Sequence, residues 1–194
     1  KNISKTDKYF LNEMSYIPRL EISEIHKSKD GTIKWLIKLK DKSEIETVYI
    51  PQDDRGTVCL SSQVGCTLNC SFCHTGTQAL VRNLTAGEII GQLMVVMDHL
   101  QDWPSGKNGR KVTNIVMMGM GEPLLNYEEV SKSIKIMMSD DGISISRRRI
   151  TLSTSGIIPF IDIAGSDLGV NLAISLHAVN DDLRNKLVPI NKKY

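Results

Sequence analysis

The chain has 194 residues, with 24 Lys and Arg against 22 Asp and Glu, and a net charge of +2. That length suits one domain, or one domain with a small appendage, and the near balance of charge neither indicates nor excludes a nucleic-acid partner. Aromatic residues make up only 5% of the chain, which disfavours a broad base-stacking platform. No apolar run reaches about 18 residues, the length that predicts a membrane span.

The four cysteines are unevenly spread, because three of them fall between Cys66 and Cys73. The first residues of the chain show no apolar core followed by a small-residue cleavage site, so no signal peptide is predicted. Tight cysteine clusters in a chain without an export signal are typical of metal ligands or redox groups rather than disulfide staples. The cysteine usage therefore predicts a protein of the reducing cytoplasm.

The N-terminal quarter of the sequence predicts a polar, weakly helical lead-in over 1–18 and a small β element over 19–56. The β element is predicted from three strand-like runs, the first two joined by a turn at Asp30 and Gly31. These runs are Leu20–His26, Thr32–Leu39 and Ile45–Ile50, the last stopped by Pro51. Short runs joined in this way predict an antiparallel sheet.

From residue 57 to 194 the pattern becomes strand, loop and helix, four times over. The predicted strands are Val58–Ser61, Asn114–Met118, Arg149–Thr154 and Leu172–Leu176. The predicted helices are Thr85–Leu100, with a capping box from Thr85 to Glu88, and then Tyr127–Met138, Pro159–Ala164 and Asp181–Leu187. Such alternation predicts an α/β fold with parallel strands, either doubly wound or a barrel. Since a closed barrel of this kind has eight strands, we expect an incomplete (β/α) barrel of about four units.

The cysteine cluster lies in the loop after the first barrel strand, as Cys66, Cys70 and Cys73. Three thiolates at this spacing can each bind one iron of a [4Fe–4S] cube, which leaves the fourth iron open to a small molecule. The loop follows a strand, so the cluster is expected at the carboxyl-terminal face, where barrel enzymes place their chemistry.

The residues alone leave three other interpretations of the cysteine cluster possible. The cysteines and His74 could form a Cys3His zinc site, although adjacent Cys73 and His74 would strain a tetrahedral shell. The run Cys70–His74 also matches a c-type haem attachment pattern, which leaves Cys66 unused. The thiols could also be ordinary free cysteines.

Polar residues close the other predicted strands at the same end as the cysteines. The second strand runs into Gly119–Pro123, in which glycines permit close approach of a ligand and Glu122 offers a carboxylate to a cationic amino group. Ser153–Gly156 closes the third strand, and Ser175–His177 closes the fourth. Each group alone is compatible with an ordinary turn, but their shared position predicts a binding rim.

Several motifs in combination resemble the Cfr/RlmN family of bacterial radical S-adenosylmethionine (SAM) RNA methyltransferases. The resemblance runs from about residue 30 to the last residue, and within the family it is greater to the members that modify C2 of adenine than to those that modify C8. The motifs are Cys59–Cys66, Arg82–Thr85, Met117–Asn126, Arg148–Gly156, Ala173–Ala178 and Val188–Tyr194.

The resemblance implies a role for individual positions. Cys66, Cys70 and Cys73 match the family's cluster ligands. The positions that match its SAM contacts are Gly121, Glu122, Ser153, Ser175, Leu176 and His177. Glu46 matches a proton-accepting glutamate of the family, although its position on a strand would by itself predict only an exposed carboxylate. Cys59 matches a cysteine that forms a transient disulfide, although a lone strand cysteine is most often a small buried apolar residue.

The implied reaction methylates C2 of an adenosine in 23S rRNA, or in certain tRNAs, and consumes two SAM molecules. One SAM methylates a cysteine near the C-terminus of the enzyme, and the other generates the radical that activates this methyl group. The target base has to be unstacked to reach the site. The resemblance also implies an electron donor such as flavodoxin.

The sequence departs from the family in one respect. All four cysteines lie at or before Cys73, so no match to the methyl-carrying cysteine is found, nor to the rest of the barrel or an N-terminal helical domain. The expectation is a fragment that does not complete a turnover and that self-associates through an open sheet edge at Leu172–Leu176. The alternative function is a metal-stabilised RNA-binding module without catalysis.

Overall fold

A computed structural model describes residues 3–14, 16–103 and 109–194; residues 1, 2 and 15 of the predicted lead-in lie outside this part. The α-helices of the described chain are α1 (Lys5–Met14), α2 (Ala86–His99), α3 (Tyr127–Met138), α4 (Ile158–Leu168) and α5 (Asp181–Leu187). The strands are β1 (Glu21–Lys27), β2 (Ile33–Lys38), β3 (Glu44–Gln52), β4 (Arg55–Cys59), β5 (Gln63–Val64), β6 (Arg82–Asn83), β7 (Asn114–Met117), β8 (Ile150–Thr154) and β9 (Asn171–Ile174).

Seven of the strands form a single sheet in the order β1-β2-β3-β4-β7-β8-β9. The first four pair antiparallel, and β4, β7, β8 and β9 pair parallel. The predicted α/β class with a parallel sheet is therefore confirmed. The antiparallel element is continuous with the parallel strands through the pairing of β3 with β4, and its division from them near residue 57 stays a prediction.

The two faces of this sheet are covered differently. Helix α2 contacts α3, which in turn contacts α4, so these crossover helices form one layer over one face. The residues pointing into that layer alternate along the strands, as the pleat requires. In β3, for example, Ile45, Thr47 and Tyr49 are buried, whereas Glu46 and Val48 on the opposite face are only partly buried. Helices on one face only are typical of a barrel wall rather than a doubly wound sheet.

The strand β9 pairs only with β8 in the part of the chain that the structure describes. Its Leu172 and Ile174 side chains are 44% and 48% exposed. An exposed apolar edge of this kind is open to pairing with another chain. Self-association through this edge stays a prediction. No helix of the described residues is long and apolar enough to cross a membrane.

The first helix of the barrel begins at the capping box that the sequence predicts. The Thr85 side chain accepts a hydrogen bond from Glu88 N–H, and the Glu88 carboxylate accepts one from Thr85 N–H at 2.9 Å. Both bonds satisfy donors that have no partner within the helix. Replacement Thr85→Ala is expected to lower the free energy of unfolding by about 1 kcal/mol, measured by urea denaturation. Thr85→Ser keeps the hydroxyl, and an equal loss in that variant would contradict the capping role.

Candidate metal centre

The three clustered cysteines lie on one loop that a short hairpin closes at its base. Strands β5 and β6 pair through Val64 and Arg82, and just inside this pairing Cys66 N–H donates to Gln78 O at 3.3 Å. Within the loop, Cys73 N–H donates to Cys70 O at 3.1 Å, and Gly76 N–H donates to Cys73 O at 3.0 Å. The thiols are therefore carried by a tightly turned segment and not by separate elements.

The last helix supports this loop from beneath, a contact that the sequence did not predict. Cys66, Leu68 and Cys70 are buried against Val188, which follows α5. In addition, Ser71 N–H donates to Leu187 O at 3.1 Å. The cysteine loop is thus packed on the segment that ends α5.

A cavity of about 270 Å³ opens above the loop. It brings the three cysteines together with the residues that follow three parallel strands. Its polar and charged lining residues on these strands include Glu122 after β7, Ser153 and Ser155 on and after β8, and Ser175 and His177 after β9. This volume lies just below the usual range for small-ligand pockets, about 300–1,000 Å³. The strand-end residues thus share one cavity with the cysteine loop, whereas the side chain of Leu176 lines a neighbouring groove.

The donor set fits an iron–sulfur cluster on chemical grounds. Burial and the neighbouring Cys66 and Cys73 raise the pKa of the Cys70 thiol to about 11, and burial raises the pKa of Cys66. Thiolates at these positions are desolvated and repel one another, so they need a positively charged partner to form at neutral pH. The cavity in front of them provides the room for such a partner.

A single-ion site receives no support from the same residues. In residues 3–14, 16–103 and 109–194 no three or more His, Cys, Asp or Glu side chains are grouped as the ligands of one metal ion would be. The structure therefore gives no support to a zinc site of Cys66, Cys70, Cys73 and His74. A four-iron cube is a different case, because each thiolate binds its own iron at a separate corner.

Glu122 joins two of the loops that border the cavity. Its carboxylate is 2% exposed and accepts hydrogen bonds from Leu124 N–H at 3.1 Å and from Ser155 N–H at 2.8 Å. Burial raises the pKa of Glu122, and the two backbone donors oppose that rise. Each carboxylate oxygen has a second lone pair, so the group can accept from a ligand while it holds Leu124 and Ser155 in place.

The glycines before Glu122 are also required by close packing against the chain after β4, in addition to the ligand approach that the sequence predicts. A Cβ on Gly119 would lie 2.7 Å from Leu60 O, and a Cβ on Gly121 would lie 2.5 Å from Gln63 Cβ. Gly121 also has a φ of +94°, which side-chain-bearing residues rarely adopt. The close approach is therefore to the chain after β4, although both glycines also line the cavity.

A buried polar network ties the same loop to the sheet. Gln92 of α2 accepts from Ser61 N–H at 2.9 Å and donates to Ser61 O at 3.0 Å. The Ser61 hydroxyl in turn donates to Glu46 O at 2.6 Å and accepts from Met120 N–H at 2.9 Å. Ser61 thereby links β3, the end of β4 and the loop after β7. Sequence reasoning missed this group, for which the one signal was a glutamine within an apolar helical run.

An aromatic contact joins the cysteine loop to the end of β9. The ring centroids of Phe72 and His177 are 4.1 Å apart. His177 has a φ of +57°, and across it Ala178 N–H donates to Leu176 O at 2.7 Å. A non-glycine residue held in this region at a cavity wall is a feature often found at functional sites.

Glu46 and Cys59 lie on the sheet face that the helices leave uncovered, and neither is among the residues that line the cavity. Cys59 pairs with Val48 on one side and with Val116 on the other, and Glu46 is two residues from Val48 on the same face. Met118, two residues beyond Val116, lines the cavity. Glu46 Oε1 lies 2.8 Å from Lys34 Nζ. The uncovered face therefore continues into the cavity.

The disulfide expected at Cys59 is not supported, which corrects that prediction. All four cysteines are free thiols. The other three are held on the separate loop described above, and no cysteine follows Cys73 in the sequence. Cys59 is thus a reduced residue of a strand.

Burial raises the pKa of Cys59 to about 11, which predicts slow alkylation. Because the thiolate is the reactive form, the native chain is expected to react with iodoacetamide much more slowly at about pH 8 than in urea, where the pKa is about 8.5. The native rate rises about tenfold per pH unit up to the folded pKa. A variant lacking the three loop cysteines isolates the signal, and equal rates with and without urea would contradict the burial argument.

The sequence of the chain is similar to those of known proteins. The family model of the radical SAM superfamily matches residues 60–194. The chain is 56% identical to the dual-specificity RNA methyltransferase RlmN of Zymomonas mobilis, and 58% identical to the protein of the same name from Bradyrhizobium diazoefficiens. These alignments cover 100% of this chain but 49% and 50% of the relatives, so the chain spans about half of their length.

A solved structure shows the same fold. The crystal structure of a radical SAM methyltransferase from Sphaerobacter thermophilus superposes with a TM-score of 0.86 and 45% sequence identity. The superposition covers 99% of this chain and 55% of that one. The expected fold class, a radical SAM domain of mixed parallel and antiparallel strands, is therefore confirmed.

Proposed function

The chain belongs to the radical SAM superfamily, and on that premise we propose that it forms the catalytic part of an RNA methyltransferase acting at C2 of adenosine. Membership of the family implies an iron–sulfur cluster and SAM as cofactors. The substrates are adenosines of 23S rRNA and of certain tRNAs. Because the chain spans about half the length of the relatives named RlmN, this complete reaction is proposed for the whole protein.

The observation that carries the proposal is the shared cavity. Cys66, Cys70 and Cys73 line it on one side, and Glu122 and Ser175 line it on the other. The three thiolates would hold three irons of a cube and leave the fourth without a protein ligand, and the cavity also carries residues suited to binding a small zwitterionic molecule. A zinc site has no need of such an arrangement, because a structural zinc ion is closed by four protein ligands.

In this proposal, different residues around the cavity bind different parts of SAM. The carboxylate of Glu122 receives the cationic amino group, beside the backbone of Gly121. The hydroxyls of Ser153 and Ser175 bind polar groups of the ligand, and His177 borders it at the end of β9. Leu176, whose side chain lines the neighbouring groove, contacts the ligand through its backbone alone. When bound, the cluster and SAM supply a carbon radical, which modifies an electrophilic adenine carbon that ordinary methyl transfer does not reach.

The uncovered sheet face receives the RNA base. Glu46 stands on that face, with its carboxylate paired to Lys34, and accepts the proton that leaves C2. Cys59 lies on the same face as a thiol, next to the path between Glu46 and the cavity. The base enters in an unstacked state, since C2 is otherwise covered by its neighbours. A flavodoxin-type protein is the proposed electron donor.

A chimera tests the proposal directly. The 194 residues replace the matching segment of the Zymomonas mobilis relative, and the reconstituted protein is incubated with SAM, a reductant and unmethylated 23S rRNA and tRNA. Nucleoside mass spectrometry is expected to detect 2-methyladenosine, and the same chimera carrying Cys70→Ala is the matched control. A chimera that binds its cluster but yields only 8-methyladenosine, or no methylated adenosine while the parent relative is active, would contradict the assignment.

A further inference from the structure

The side chain of Arg184, on α5, is bound to the carboxyl-terminal ends of two neighbouring strands. Its Nη2 donates to Ser155 O at 2.8 Å and to Ser175 O at 3.3 Å, and its Nε donates to Leu176 O at 3.1 Å. The remaining arm, Nη1, donates to Asn191 Oδ1. A planar guanidinium with five directed donors suits such a set of acceptors better than an ammonium group does.

These acceptors lie where the sheet no longer supports the chain. The last residue of β9 is Ile174, and one more ladder bond follows, from Ser175 N–H to Thr154 O at 2.9 Å. Beyond it the chain turns through His177 with a positive φ. Arg184 binds the backbone in this stretch, next to residues that line the cavity.

The same stretch is held from the other side by Glu122. Ser155 N–H donates to Glu122 Oε2 at 2.8 Å, while Ser155 O accepts from Arg184. The residue Ser155 is therefore fixed at both its N–H and its carbonyl group. A continuous chain of contacts runs from the loop after β7, through the end of β8, to the end of β9.

Helix α5 also supports the cysteine loop. Its last residue, Leu187, accepts a hydrogen bond from Ser71 N–H at 3.1 Å, and Val188 packs beneath Cys66 and Cys70. One short segment thus contacts both the proposed cluster loop and the proposed SAM-binding strand ends. A change in the position of α5 would therefore move the cysteine loop relative to the ends of β8 and β9.

We propose that Arg184 is a positioning residue of the SAM site, which holds the ends of β8 and β9 so that Ser153, Ser175 and His177 face the cysteine loop. This inference rests on the proposed function, since it assigns SAM to that cavity. Arg184 itself lines the adjoining groove, so it acts through the backbone it binds and not by touching the ligand. Its role is geometric, and it depends on the fork of the guanidinium.

The test compares three variants of the reconstituted chain. Arg184→Met removes every donor, and Arg184→Lys keeps the charge without the fork. Arg110→Met is the matched control, because Arg110 also donates to two backbone carbonyls, Ile143 O at 2.6 Å and Ser144 O at 2.9 Å, before β8. The dissociation constant for SAM is measured on the cluster-loaded protein, and amide hydrogen exchange is measured on the protein without the cluster.

Arg184→Met is expected to weaken SAM binding by about tenfold or more and to accelerate exchange at Ser155, Ser175 and Ala178, with Arg184→Lys in between. Arg110→Met should match the wild type in both measurements. Unchanged SAM affinity and unchanged exchange in Arg184→Met would overturn the inference, as would an equal loss in Arg110→Met. If the wild-type chain itself fails to bind SAM, the proposed function fails, while the exchange data still decide whether Arg184 orders these strand ends.

Discussion

Replacement of Cys66, Cys70 or Cys73 by alanine is expected to abolish binding of the [4Fe–4S] cluster, whereas Cys59→Ala retains it. In the proposed site each loop thiol holds its own iron, and nothing in the buried floor of the loop, formed by Leu68 and Val188, can replace a lost thiolate. Iron and sulfide content per chain, determined after anaerobic reconstitution, measures the effect.

The Cys59→Ala variant makes this experiment specific. It removes a half-buried free thiol of the same chain that lies on a strand and outside the loop. Loss of the cluster in Cys59→Ala, or full iron content in any of the three loop variants, would show that the ligands have been misassigned. Circular dichroism of each variant distinguishes loss of a ligand from loss of the fold.

Glu122→Ala is expected to lower both the stability of the fold and the affinity for SAM, because this one side chain holds two backbone N–H groups and faces the cavity. Its removal leaves the N–H groups of Leu124 and Ser155 without their carboxylate acceptor, which lowers the free energy of unfolding by about 2–4 kcal/mol. It also removes the charge that we propose binds the amino group of SAM. We expect SAM affinity to fall by more than about tenfold, measured by titration of the reconstituted chain.

Two further variants separate these purposes. Glu122→Gln keeps one backbone acceptor but removes the charge, so its SAM affinity should fall while its stability recovers in part. Glu129→Ala removes a carboxylate that also accepts a backbone N–H, from Ala86 at 2.7 Å, outside the cavity. Wild-type SAM affinity in Glu122→Gln would assign Glu122 a structural role alone.

Much of the fold follows from local patterns. The sequence predicts the helix Tyr127–Met138 with the bounds that the structure shows, since its apolar residues recur at helical spacing. The capping box at Thr85 likewise depends only on residues four positions apart or fewer. The strand β3 was predicted to stop before Pro51, but Pro51 pairs with Gly56 and the strand ends at Gln52. Here the turn into β4 joins the antiparallel and parallel strands, a connection that depends on tertiary pairing.

The candidate site divides in the same way. Residues that project from the ends of parallel strands, such as Glu122 and Ser175, were placed in one region by the strand pattern and the cysteine spacing. The groups that fix the surrounding backbone were not, because Arg184 and Gln92 bind backbone atoms of other elements, such as Ser155 and Ser61. Such contacts produce no periodic pattern in the sequence. A charged residue on a short helix is therefore predicted to be exposed to solvent.

The most direct test of the central claim is the electron paramagnetic resonance spectrum of the reduced, anaerobically reconstituted chain before and after SAM is added. If Cys66, Cys70 and Cys73 are the ligands, one iron of the cube has no protein ligand, so binding of SAM in the adjoining cavity is expected to change the [4Fe–4S] signal. A cluster whose signal is the same with and without saturating SAM, or a chain that takes up one zinc ion and no iron, would contradict the account.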